Sequence, residues 1–227
     1  MQTKVISVTD PAKSAEVLAE AAAIIRRGGL VVFPTETVYG LGADATNAGA
    51  AKAVYAAKGR PSDNPLIIHV ARPEDAEPYA VTNPTYYSKQ FMPGPLTVIL
   101  PRKETIPLEV TGGLDTVAVR CPSHPVAHAL IAAAGVPIAA PSANLSGRPS
   151  PTCAAHVIED LTGRVDMILD GGECEFGLES TIVKLDGEDG TLLRPGAITY
   201  DALCCICRHV TVAPAVTAML KENERPL

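Results

Sequence analysis

Four separated segments of this 227-residue chain place hydroxyls, amides and charges directly after short apolar runs. In "VVFPTETVYGLG", residues 31–42, Val31, Val32 and Phe33 read as a strand buried on both faces, and Pro34 ends it. Thr35, Glu36 and Thr37 follow, then Tyr39 and the spaced Gly40 and Gly42, which permit close backbone approach or positive φ. In "AKGRPSDNPL", residues 57–66, Lys58 and Arg60 flank Gly59 at a helix end. Ordinary C-capping explains a lysine in a last turn equally well. Arg60, however, lies beyond the cap, on a rigid polar turn with Ser62 and Asn64 that can aim a guanidinium at an anion.

The third segment, "APSANLSGRPSP" at 140–151, offers Ser142 and Asn144 as donors to oxygen. Ser150 and Pro151 then open a helix, and Ser150 can be either a plain N-cap or part of an anion site at the free amides. The fourth, "GLESTIVKL", begins a strand with Glu179, Ser180 and Thr181, while Arg120 closes "VAVR" and Arg194 lies in "LLRPG". Together these suggest one polar, locally positive cavity rimmed by strand ends. His69, the histidine embedded in a strand near these clusters, reads as packed and hydrogen-bonded unless the cavity claims it. Neither a Ser/His/Asp order nor a metal-ligand helix emerges, so no metal site is expected, and binding and orienting a charged ligand fits better than covalent catalysis.

The elements that must hold these groups form an α/β domain with a mixed sheet. Helices are expected from Asp10 to Arg27, from Asn47 to Lys58, over 73–80, 83–91 and 125–134, from Ser150 to Leu161, and over 199–207. Strands are expected at 30–34, 65–70, "LTVIL", "TVAVR", "VPIAA", "MILD", "STIVKL" and "TLLRP". Residues 1–200 read as the catalytic domain and 201–227 as a tail or the start of a linker. No P-loop occurs, and "GLGADA" lacks the third glycine of a dinucleotide fingerprint.

Composition narrows the classes. Hydrophobic residues make up 47% and charged residues 19%, with no apolar run long enough to span a bilayer and nothing resembling an export signal, so a cytoplasmic protein is expected. The net charge of −6 argues against a general polyanion binder. Among six cysteines only Cys204, Cys205 and Cys207 are close-spaced, and no second pair completes a zinc site, so reduced thiols on a partly buried helix are expected.

Taken in order, "FPTETVYGLG", "KGRPSDNPL", "PGPLTVIL", "APSANLSGRPSPT", "ESTIV" and "LLRPG" closely resemble the YrdC-like domain of the threonylcarbamoyl-AMP synthases, over about residues 13–200. The resemblance implies a single twisted, mixed sheet with helices around an open, positively charged cavity. It implies synthesis of threonylcarbamoyl-AMP and pyrophosphate from L-threonine, bicarbonate and ATP, a nucleotidyl transfer, with Mg2+ carried by the triphosphate. The product would pass to a tRNA-modifying threonylcarbamoyl transferase, with direct tRNA binding weak at most. Carried over by position, Lys58, Arg60, Ser62, Asn64, Ser142, Asn144, Ser150 and Arg194 fall to ATP, with Lys58 and Arg60 also catalytic. Thr35, His69, Arg120 and Ser180 fall to threonine, Arg120 facing its carboxylate. Longer members continue through a linker into a second domain. Two competing readings are an RNA-binding module, disfavoured by the acidic balance and the lack of an aromatic-basic stripe, and the carbamoyl-transfer domain of hydrogenase-maturation proteins, which are longer and carry zinc-finger segments.

Overall fold

The computed structural model describes residues 2–87 and 91–223. In chain order they form β1 (Lys4–Ser7), α1 (Ala15–Arg26), β2 (Val31–Phe33), β3 (Gly40–Asp44), α2 (Ala48–Lys58), β4 (Ile67–His69), β5 (Leu96–Pro101), α3 (Leu108–Thr111) and β6 (Thr116–Arg120). Then follow α4 (Pro125–Ala134), β7 (Ile138–Ala139), α5 (Ala154–Leu161), β8 (Met167–Asp170), β9 (Thr181–Asp186), β10 (Asp189–Arg194), α6 (Tyr200–Leu203), β11 (Val210–Val212) and α7 (Pro214–Asn223). The strands make one twisted mixed sheet in the order β1-β8-β2-β3-β7-β4-β6-β5-β9-β10-β11. Parallel pairs such as β4 with β6 alternate with antiparallel ones such as β5 with β6, which bears out the mixed α/β class.

Strand alternation divides the core between the two faces. Val31, Phe33, Ile138, Met167 and Leu169 pack with α1 and α4 on one side, and Val32, Leu41, Ala139 and Ile168 pack with α2 and α5 on the other. Val31, Val32 and Phe33 are fully buried, as the apolar run requires. His69 and Arg120 are register partners on neighbouring strands, while Ile68 and Val119 point into the α2 and α5 core. The polar pair therefore faces the α1 and α4 side.

Several boundaries differ from expectation. The first helix is split: Asp10 caps a 3-10 turn at Pro11–Lys13 by accepting from the Ala12 amide at 3.0 Å, and α1 begins only at Ala15. The segment 73–80 holds only a 3-10 turn at Pro73–Ala76. Residues 84–87 are turn rather than helix, and 88–90 of that expectation lie outside the described residues. The helix expected from Ser150 starts at Ala154 with Cys153 as N-cap. The carbonyls of Pro151 and Thr152 accept from the Tyr39 and Cys174 amides, both at 2.9 Å, so this stretch is held extended and cannot enter the helix. That removes Ser150 as an N-cap or as the start of a helix-amide anion site. The expected 199–207 helix shortens to α6 followed by turns.

Among the strands, β1, β3 and β11 escaped the sequence reading. Within β3, glycine is a packing requirement: a Cβ on Gly42 would lie 2.7 Å from the Phe33 ring and 2.8 Å from Ile138 Cγ2. β11 adds to the sheet by parallel pairing with β10, and buried Cys207 packs on Gly190. All six cysteines are free thiols, with Cys204 and Cys205 exposed.

Candidate active site

One cleft collects the polar segments. It is lined by Thr35, Thr37, Val38, Tyr39, Gly40, Ile67, His69, Arg120, Ala140, Pro141, Glu179, Ser180 and Arg194. Strand ends from β2, β6, β9 and β10 supply most of the wall, while Ile67 and His69, two apart on β4, contribute a strand face as well. The rim is therefore only partly made of strand ends.

The inner part is a buried hydrogen-bond network. Arg120 Nη2 donates to Glu36 Oε1 at 2.6 Å and more weakly to Thr35 Oγ1 at 3.4 Å. Both members of this ion pair are nearly inaccessible, with side chains 4% and 3% exposed. Glu36 Oε2 accepts from the amides of Ser123 and His124, at 3.1 and 3.3 Å, where the chain enters α4. Arg120 Nε is buried without a partner among the described residues. Thr35 sits in a tight polar turn, donating to the Val38 carbonyl at 2.6 Å and accepting from the Thr37 and Val38 amides.

His69 Nδ1 lies 3.1 Å from the Ile67 carbonyl and 3.2 Å from that of Ile138. Two acceptor neighbours assign the proton to Nδ1, leaving Nε2 as an acceptor. Burial first, and the Arg120 charge second, pull its pKa down to about 3, so the ring is neutral. Ser180 Oγ pairs with Thr97 Oγ1 at 2.7 Å and accepts from Arg194 Nη2 at 3.1 Å. Arg194 also donates to Glu179, whose other oxygen accepts from Ser150 Oγ at 2.7 Å.

The outer part of the site lies beside the lined cleft and starts at the end of α2. Gly59, at φ 62°, caps the helix, so Lys58 is released from that task. Its ammonium crosses to the third segment, donating to the Ser142 carbonyl, to the Asn144 carbonyl at 2.7 Å and to Asn144 Oδ1 at 3.2 Å. Ser142 is itself bridged to Gly40. Burial, reinforced by the Arg60 charge, lowers the Lys58 pKa to about 8. Arg60 is only loosely held, 3.4 Å from the Asn64 and Pro65 carbonyls.

Of the residues singled out from sequence, Thr35, His69, Arg120, Ser180 and Arg194 line the cleft, and Lys58, Ser142 and Asn144 form one linked cluster. Ser150 joins through Glu179. Ser62 instead lines an exposed recess beside α3 with Lys52 and Tyr55, and Asn64 does not line the cleft. Missed as site residues were Glu36, Glu179 and Thr97. The two glutamates were visible beside the named residues, but their arginine partners lie 84 and 15 positions away. Among the described residues no three His, Cys, Asp or Glu side chains group as metal ligands, and both cleft glutamates are engaged by arginines.

Residues 23–196 match the Sua5–YciO–YrdC family, whose model is described as "Telomere recombination". The chain belongs to this family. Threonylcarbamoyl-AMP synthase from Pyrococcus abyssi is 51% identical over 199 residues, covering 86% of this chain and 58% of the relative. The enzyme of that name from Bacillus subtilis is 48% identical over 229 residues, covering 99% and 64%. The chain thus spans less than two thirds of these relatives. Halorhodospira halophila has one of matching size, 39% identical over 177 residues, covering 77% of this chain and 92% of the relative. Among solved structures, P. abyssi Sua5 complexed with L-threonine superposes with a TM-score of 0.87 at 47% identity, over 96% of this chain and 64% of that one. Escherichia coli YciO, at 24% identity and a TM-score of 0.74, over 86% of this chain and 96% of that one, shares the fold.

Proposed function

We propose that this chain makes threonylcarbamoyl-AMP from L-threonine, bicarbonate and ATP, with release of pyrophosphate. The observation that carries the reading is that Thr35, His69, Arg120 and Ser180 converge on one cleft beside the Lys58–Ser142–Asn144 cluster. On this reading the cleft takes the amino acid and the cluster beside it takes the phosphates. The named activity of the P. abyssi and B. subtilis relatives, and the L-threonine in the P. abyssi structure, support the same assignment.

At the inner end Arg120 takes the carboxylate, while Thr35, Ser180 and the free Nε2 of neutral His69 address the hydroxyl and amine. The neutral ring keeps its one proton on Nδ1 and so accepts at Nε2 without serving as a proton donor there. The amine of threonine combines with bicarbonate to give a carbamate and water. A carbamate oxygen then attacks the α-phosphorus as the bond to the β-phosphate oxygen breaks and pyrophosphate leaves. Lys58 and Arg60 hold the phosphates, so catalysis is alignment of reactants plus stabilisation of developing charge, a nucleotidyl transfer. Arg194, Ser142, Asn144 and Ser150 shape the nucleotide side. Ser62 and Asn64, exposed beyond Arg60, are left for the outer phosphates or the adenosine. Mg2+ would enter on the triphosphate, since the protein offers it no ligand cluster among the described residues.

Residues 1–200 would carry this chemistry. In a cytoplasmic setting the product would serve a tRNA-modifying transferase, with direct tRNA contact weak at most. No described helix is long and apolar enough to cross a membrane. Incubation with labelled bicarbonate, threonine and Mg-ATP should yield a labelled adenylate and equimolar pyrophosphate. RNA binding without threonine-dependent pyrophosphate release would replace this reading with that of an RNA-binding module.

A further inference from the structure

We infer that Glu36 is the positioning residue that aims Arg120 at the carboxylate of the amino-acid substrate, and that it sets how strongly that carboxylate is read. The inference rests on the function proposed above. Arg120 ends β6 on a long, flexible side chain, and a guanidinium recognises a carboxylate only when its fork is held in place. Glu36 holds it from one side at 2.6 Å. Its second oxygen accepts two amides at the start of α4, and its carbonyl accepts from the Phe176 amide at 2.9 Å. Glu36 thus joins β2, β6, α4 and the loop before β9 at one point.

The bonding pattern also shows which part of Arg120 remains for a ligand. Nη2 is committed to Glu36 and Thr35, whereas Nη1 makes no hydrogen bond among the described residues, and the side chain lines the cleft. The buried, unmet Nε is a cost of the kind that gathers at functional sites. Charge gives Glu36 a second effect. It balances a buried cation that would otherwise have to stand alone, but its own charge opposes a second carboxylate, so what it contributes to reading that carboxylate is the placement of the fork. His69, the titratable neighbour across the strand pair, is neutral and adds no competing charge.

The test compares L-threonine with L-threoninamide, which keeps the amine, hydroxyl and methyl but lacks the carboxylate. Calorimetry on the unmodified chain should show threonine bound at least 100-fold more tightly. In Glu36→Gln, which preserves size and one acceptor, that ratio should fall at least tenfold, while ATP affinity stays within twofold. Glu36→Asp keeps the charge but withdraws it by one methylene, and should lower the ratio at least threefold. An unchanged ratio in whichever variant folds overturns the inference and leaves the proposed function standing. Equal loss of both ligands does the same, because it would reveal only a structural role. Failure of the unmodified chain to bind threonine overturns the function itself, and this inference with it.

Discussion

The two ends of the candidate site, the cleft and the cation cluster beside it, are built differently. The inner end, around Arg120, Glu36, Thr35 and Ser180, is buried and cross-linked by side-chain hydrogen bonds. The outer end pairs one buried cation, Lys58, with a partly exposed one, Arg60, on a turn whose next residues are exposed. A small amino acid distinguished by single groups calls for a rigid pocket, because discrimination depends on leaving the wrong ligand's partners unpaired. A triphosphate is mostly charge, and cations presented from a helix end and the turn after it suffice to hold it. The electrostatics of the principal cations agree: Arg120 has a buried glutamate partner, whereas among the described residues Lys58 donates to neutral oxygens and Arg60 to weakly placed carbonyls.

The sharpest way to break this contrast is at the inner end. Arg120→Ala strands Glu36 as a buried, unpaired charge and should cost about 3–5 kcal/mol of folding stability as well as threonine binding, read by chemical denaturation and calorimetry. At the outer end, Lys58→Ala or Arg60→Ala should weaken ATP binding by about 1.5–3 kcal/mol, the range of charge-assisted hydrogen bonds. Unchanged ATP affinity in both variants would reduce the pair to surface chemistry at a helix end.

Ligand analogues sharpen the inner end further. Serine lacks only the methyl and should be disfavoured by about 1–3 kcal/mol, roughly 10- to 200-fold. Valine keeps the shape but leaves hydroxyl partners unpaired and should fare worse. Competition binding that placed valine level with serine would withdraw Thr35 and Ser180 from reading the hydroxyl.

The smallest effect is one of pH. With Lys58 lowered to about 8, its charge is present below that value and lost above it. ATP affinity should therefore fall as pH rises through about 8, by up to tenfold per unit, with proton uptake on binding in that range. For folding the sign reverses. The folded state holds fewer protons than the unfolded chain between about pH 8 and the ordinary lysine range, so burying Lys58 costs stability at neutral pH, and that cost fades as pH climbs through the window. An ATP affinity flat from pH 7 to 9.5 would mean that the ammonium does not meet the phosphates.

What was legible in the sequence follows the range of the interactions. Val31–Phe33, the helix ending at Lys58 and the helix over 125–134 are set by local patterning and caps, and the structure has them in place. β3 was hidden because Gly40 and Gly42 look like turn residues, and only Phe33 and Ile138 pressing on the strand reveal why glycine is needed. The start of α5 was misplaced because Ser150–Pro151 imitates a helix start, while distant amides at Tyr39 and Cys174 hold the chain extended. The site was legible as residue types at strand ends. Its wiring was not: that Lys58 reaches Asn144, and Glu36 reaches Arg120, depends on contacts more than 80 residues apart.

The most direct test of a two-ended site is to titrate Arg120→Lys and Arg60→Ala separately with threonine and with Mg-ATP. Lysine keeps a charge opposite Glu36 but loses the planar fork, so this variant should fold, lose threonine affinity at least tenfold and keep ATP within about twofold. Arg60→Ala should show the reverse. If both variants lost the same ligand, or if each lost both equally, the site would not have separate amino-acid and nucleotide ends, and the account would fail.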